Sequence, residues 1–124
     1  GDTATWRLPA RDDAPARARA HVSALLRQWH TRSGTQDDMA LLVSELVTNA
    51  VRFAAGPITI RLIRGGGHGL LCEVGDTGNG RPRLSRGGLL DDGGRGLHIV
   101  HRLTTRWGVR WTDTGKVVWA EVAR

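Results

Sequence analysis

A two-layer α/β sandwich, with about three helices on one face of a mixed, mostly antiparallel sheet, is the fold this sequence predicts. Three observations predict it. Apolar residues alternate between strand and helix periods in the order β-α-α-β-β-loop-α-β-β. Too few β-α-β crossovers occur for a doubly wound parallel sheet. The chain has 124 residues, 40% hydrophobic and 24% charged, enough for one core and no more, so residues 1–124 are expected to form one domain.

Each element has its own signal. Thr5-Trp6-Arg7-Leu8 reads as a strand ended by Pro9. Ala18, Val22, Leu25, Leu26 and Trp29 recur at helical spacing from Ala14 to about His30, with Asp12 or Asp13 as cap and Pro15 in the first turn. A second helix is expected after Thr35, where Thr35-Gln36-Asp37-Asp38 resembles a capping box, and it runs to about Ala54 before Gly56-Pro57. Ile58, Ile60 and Leu62 alternate with polar residues, and Leu70 to Asp76 is the hairpin partner of that strand. Residues 81–93 have no period and hold Pro82 and three glycines, which reads as a lid or binding loop. Leu97, Ile99, Val100 and Leu103 form a third helix beginning near Gly94-Arg95-Gly96. Trp107-Val109-Trp111 and Val118-Ala120-Val122 finish as a hairpin across Asp113-Thr114-Gly115.

Composition narrows the function classes. A single cysteine, Cys72, excludes a disulfide framework and a multi-cysteine zinc site, which makes a reducing cytoplasm the expected compartment. No apolar run approaches a membrane span and no leader pattern opens the chain; the start at Gly1-Asp2-Thr3 reads as a trimmed chain or an excised domain. Eighteen basic residues against twelve acidic give +6, and all the basic residues except Lys116 are arginines. The densest cluster, Arg81, Arg83 and Arg86, has no interleaved aromatic residue to stack on bases, so direct nucleic-acid binding is not expected. There is no Gly-x-Gly-x-x-Gly, no P-loop and no Gly-x-Ser-x-Gly, and His98 and His101 lack a third metal ligand beside them.

Three constellations remain. Glu45 and Asn49 lie one turn apart, roughly 40° around the helix axis, at the border of the apolar stripe of the second helix. A solvated edge with an incidental spacing is the plainer reading of that pair taken alone. The chemical reading is that an Asn carbonyl can ligate Mg²⁺ while a Glu orients or deprotonates a hydroxyl. Asp76 closes a strand and opens Asp76-Thr77-Gly78-Asn79-Gly80, either a simple strand-ending turn or an acceptor for the exocyclic amine of adenine, with Gly78 and Gly80 admitting a flat base. Gly93-Gly94-Arg95-Gly96-Leu97 opens the third helix, whose free N–H groups suit a phosphate, whereas so many glycines do nothing for helix stability.

In this order, Glu45-x-x-x-Asn49, Asp76-x-Gly78-x-Gly80 and Gly94-x-Gly96-Leu97 resemble the N, G1 and G2 boxes of the GHKL ATP-binding superfamily, which has a Bergerat-type fold. The segments Glu45-Leu46-Val47-Thr48-Asn49-Ala50-Val51-Arg52 and Gly94-Arg95-Gly96-Leu97, followed by Trp107-Gly108-Val109, are most similar to the small anti-sigma-factor serine/threonine kinases. The resemblance implies ATP and Mg²⁺ as cofactors. Asn49 would hold the metal, Asp76 would recognise adenine, and Gly78 and Gly80 would shape its pocket. Gly94, Arg95, Gly96 and Leu97 would meet the phosphates beneath an ATP lid at 81–93, and Glu45 would act as the catalytic base. It also implies an anti-sigma-antagonist protein as substrate and a sigma factor as a sequestered partner, and it is compatible with a homodimer. Two positions depart from the pattern. Phe53 stands where relatives often carry His, and Val117 where a Thr often assists adenine binding; loss of that hydroxyl is worth about 0.5–1.5 kcal/mol. A non-catalytic ATP-gated binding module and the ATP-binding domain of a histidine kinase are the alternatives. Glu45 stands where the histidine-kinase branch usually carries an amide.

Overall fold

The strand and helix patterns resolve, in a computed structural model that describes residues 2–65, 69–77 and 95–123, into five strands and three helices; the side chains of 95–98 lie outside the description. The order is β1 (Asp2–Leu8), α1 (Ala14–Gln28), α2 (Ser33–Phe53), β2 (Ile58–Arg64), β3 (Gly69–Asp76), α3 (Arg95–Leu103), β4 (Arg106–Trp111) and β5 (Lys116–Ala123). The sheet runs β1-β2-β3-β5-β4, and all four pairings are antiparallel, so the parallel component of the expected mixed sheet is absent among the described residues.

Period-2 alternation decides which sheet face is covered. Ile58, Ile60 and Leu62 of β2, Leu70, Cys72 and Val74 of β3, and Val118, Ala120 and Val122 of β5 are buried. They join Ala18, Val22 and Leu26 of α1, Met39, Leu42, Val43, Leu46, Val47 and Ala50 of α2, and Val100 of α3 in one core cluster. All three helices therefore cover the same face. Each such aliphatic side chain contributes about 1.5–3 kcal/mol of transfer free energy, which is why this single layer of helices suffices to hold the sheet.

Burial also explains Cys72: desolvation in the core, with the neighbouring Glu73 charge adding to it, pushes its thiol up to about 12. On the opposite sheet face Glu73 is held instead by Arg61 at 3.0 Å and Arg110 at 3.7 Å.

Two helix ends differ from the sequence expectation. Helix α1 stops at Gln28, two residues early, because His30 adopts a left-handed φ of 57°. The His30 N–H then donates to Arg27 O and the Thr31 N–H to Leu26 O, the paired bonds of a Schellman ending, formed here without glycine. Helix α2 starts at Ser33 rather than after Thr35, so the expected capping box does not form. Thr35 is buried inside the first turn, and Gln36 Nε2 reaches back to Thr31 O at 2.6 Å. The cap of α1 is Asp13, as one alternative had it, but without a side-chain hydrogen bond.

Arg64 at the end of β2 ties this corner down. It pairs with Asp2, donates to Trp29 O at 3.2 Å and lies 4.6 Å from the Trp29 ring. The guanidinium holds the Asp2 carboxyl below its usual range.

Candidate functional site

The site grows from the C-terminal half of α2. Its stripe of Leu42, Leu46 and Ala50 packs on the sheet, and Asn49, which the wheel placed on the border of that stripe, is carried into the buried region with 8% exposure. Among the described residues neither Asn49 Oδ1 nor Nδ2 has a hydrogen-bond partner, although both atoms are shielded. A buried primary amide with neither oxygen nor nitrogen satisfied costs stability, typically about 1–3 kcal/mol for an unmade bond. Glu45, one turn earlier, is half-buried.

The second half of the site is the end of β3. Asp76 is 5% exposed and faces the helices, being two residues on from the inward-facing Val74. Its ladder partner on β5 is Lys116, which in turn pairs with Trp111 of β4. Lys116 is the surprise of the structure. Its side chain is 1% exposed and Nζ donates to Asp76 Oδ2, while the same nitrogen lies 5.6 Å from the Phe53 ring centroid. Phe53 is the last residue of α2 and stands one turn beyond Asn49. Lys116 thus joins the end of α2 to the end of β3.

Two glycines bring the backbones together at the same place. A Cβ on Gly56, in the loop after α2, would lie 2.7 Å from Thr77 Oγ1. A Cβ on Gly115 would lie 2.8 Å from the Asp76 carbonyl carbon and would collide with its oxygen. The turn holding Gly115 is closed by Thr112, whose N–H donates to Gly115 O and whose Oγ1 accepts from the Gly115 N–H, both at 2.9 Å. The β4–β5 hairpin is therefore pressed against the strand end that carries Asp76.

Val117 needs correction. It pairs with Gly75 and Arg110, and strand parity turns it to the sheet face opposite the helices, away from Asp76. The polar side chain that β5 offers Asp76 is Lys116, which sequence reasoning noted as the one lysine of the chain and gave no place in the site. Parity was the signal that could have found it, since Lys116 shares its face with Val118, Ala120 and Val122. Phe53, which stands where relatives often carry His, lies with its ring 5.6 Å from the Lys116 ammonium.

Of the remaining expected site residues, Arg95, Gly96 and Leu97 form the first turn of α3. Gly78, Gly80, Gly94 and the expected lid at 81–93 lie outside the described residues. Two cavities, of about 400 Å³ beside Trp29, Arg32 and Arg64 and about 360 Å³ beside Pro9, Gly56 and Pro57, are lined by none of the expected site residues, although the second reaches the Gly56 loop. Among the described residues no group of three His, Cys, Asp or Glu side chains could hold a metal unaided.

The donor set nonetheless fits Mg²⁺ delivered with a nucleotide. That ion takes hard oxygen ligands, keeps several waters and relies on substrate phosphates more than on a protein cage. A shielded amide oxygen without a partner, Asn49 Oδ1, is a suitable single protein ligand.

Comparisons with known proteins bear on the fold and the family. A structure of the RsbU and RsbW domains of Rv1364c from Mycobacterium tuberculosis superposes with a TM-score of 0.76 at 18% identity, covering 100% of this chain and 33% of that one. The histidine kinase domain of the Erythrobacter litoralis EL346 blue-light activated histidine kinase superposes with a TM-score of 0.57 at 22% identity, covering 87% of this chain and 60% of that one. At such identities the likeness shows the fold, and the chain spans only a third and three fifths of those neighbours. No curated protein matches it significantly. The family model of the histidine kinase-like ATPase domain matches residues 8–122, nearly the whole chain, and the chain belongs to that family.

Proposed function

We propose that this chain is an ATP- and Mg²⁺-dependent serine/threonine protein kinase of the anti-sigma-factor type, acting on an anti-sigma-antagonist protein and sequestering a sigma factor. The family implies ATP binding and, more generally, kinase or ATPase chemistry. The observation that carries the finer reading is the shielded, unpartnered Asn49 amide one turn from half-buried Glu45, on the helix that Lys116 and Phe53 join to Asp76. The fold neighbour with an RsbW domain supports the partner class.

In this reading each residue has one task. Asp76 accepts the exocyclic amine of adenine, and Gly78 and Gly80 let the base approach. Asn49 presents its carbonyl oxygen to the metal, which when bound supplies charge neutralisation at the phosphates. The first turn of α3, Arg95, Gly96 and Leu97, offers backbone N–H groups to the same phosphates, together with Gly94 before it in the sequence. Glu45 takes the proton from the attacking hydroxyl of the partner's serine. The chain's contribution is mainly positioning and electrostatics, as expected for phosphoryl transfer. No helix among the described residues is long and apolar enough to cross a membrane, and the proposed setting is the cytoplasm.

The test is phosphotransfer from Mg·ATP to a cognate antagonist, read as phosphoserine. Glu45→Ala is expected to abolish transfer while retaining ATP binding. Partner binding that responds to ATP with no phosphate transfer by the unaltered chain would instead establish a nucleotide-gated binding module.

A further inference from the structure

Asp76 is an unusual base reader because it already has a buried cationic partner. Its carboxylate is anchored through Oδ2 by the Lys116 ammonium, and both side chains are at most 2% exposed. Lys116 is itself fixed at three points: the β5 ladder opposite Asp76, the ion pair, and the Phe53 ring. The Gly115 turn immediately before it abuts the Asp76 carbonyl, so backbone and side chain of Asp76 are both held from β5. An ionised carboxylate has about four lone-pair sites and an ammonium three donors, so this contact orients the acid without exhausting it.

From this geometry we infer that Lys116 is a specificity-determining positioning residue, which acts through Asp76 to make the site select adenine over 6-oxopurines. The inference rests on the reading of Asp76 as the adenine acceptor. An anchored carboxylate meets a donor in one place only. Adenine presents its exocyclic N–H there, whereas hypoxanthine presents the O6 carbonyl, acceptor against acceptor. The nearest hypoxanthine donor, N1–H, lies one ring position away, where an immobilised carboxylate cannot follow. A carboxylate that has lost the Lys116 contact is held less narrowly at Oδ2 and reaches either donor more readily. The discriminating element is therefore the fixing of the acid as much as the acid itself.

The experiment is calorimetric titration of the whole chain with Mg·ATP and with Mg·ITP, for the unaltered protein, Lys116→Met, Lys116→Gln and Asp76→Asn, with circular dichroism and melting curves as the fold check. The unaltered chain is expected to prefer ATP on the order of a hundredfold, the weight of one hydrogen bond to a charged acceptor. Lys116→Met removes the donor at similar length and is expected to shrink the preference to within about fivefold, chiefly through a gain in relative ITP affinity. Lys116→Gln keeps an N–H donor and is expected to restore part of the preference; it decides the matter if the methionine variant does not fold. A folded Lys116→Met chain with the preference unchanged, or with both affinities lowered by the same factor, overturns the inference, since a merely structural lysine would behave in that way. Asp76→Asn separates the two levels. An amide can donate to O6, so the preference should move toward ITP, whereas unchanged binding of both nucleotides would overturn the adenine reading and this inference with it.

Discussion

Replacing Asn49 by leucine is expected to stabilise the nucleotide-free chain and at the same time abolish its response to nucleotide. The two side chains share one branched heavy-atom skeleton, leucine being the bulkier, and Asn49 is 8% exposed on the same helix as buried Leu46, Val47 and Ala50. Its two amide atoms are shielded and have no partner among the described residues, so leucine removes an unmet desolvation cost and adds apolar burial. Taking about 2 kcal/mol from the usual range for a buried unsatisfied group, and about 4 °C per kcal/mol for a domain of this size, the melting temperature should rise by about 8 °C. Mg·ATP at about a hundred times its dissociation constant stabilises a native chain by about 2.7 kcal/mol, or about 11 °C on the same scale, and this shift should vanish in Asn49→Leu. Melting curves of both proteins with and without Mg·ATP therefore form a four-way comparison. A variant that melts below the unaltered protein would refute the orphaned-amide reasoning. A variant that keeps the nucleotide shift would refute the metal role of Asn49.

Gly115→Ala should cost at least about 3 kcal/mol, the upper end of overpacking penalties, because the added methyl meets the fixed Asp76 backbone; urea unfolding reads this directly. Breaking the buried ion pair by Lys116→Met alone should cost about 3–5 kcal/mol, whereas Asp76→Leu combined with Lys116→Met should recover most of it, which a double-mutant cycle checks. Cys72 should resist thiol reagents in the native chain and react once the chain is unfolded in denaturant, because burial keeps it protonated. The sign of its pH effect follows from the same shift. The unfolded thiol ionises from about 9.0 and the folded one only near 12, so stability should be level below pH 9. Above that it should fall by up to about 1.4 kcal/mol per pH unit relative to Cys72→Ala, as measured by urea midpoints.

Much of the fold was legible because burial imposes simple periods. Ile58, Ile60 and Leu62 announce one covered sheet face, and the stripe from Met39 to Ala50 announces one covered helix face. What periodicity does not carry is local competition between caps. Thr35 matches a capping pattern, yet burying it inside the first turn of α2 serves the core better, and His30 ends α1 in a conformation usually left to glycine. Of the candidate site, Asn49 and Asp76 were singled out from the sequence as polar residues at a helix-stripe border and a strand end, and the structure buries both. Lys116 was not, since lysine normally signals a solvated surface and its partner lies 40 residues earlier in the chain. Only the register of β3 against β5 places the two together, and the same register turns Val117 away.

Because the one lysine of the chain is enclosed between a carboxylate and an aromatic ring, the outer surface offers no side-chain amine at all. Amine-directed reagents, from succinimidyl esters to acetylating enzymes, should leave Lys116 untouched in the folded chain, whatever they do at the N-terminal α-amine, and modify it in step with unfolding. That makes acylation of Lys116 a built-in reporter of whether the Asp76 end of the sheet has opened.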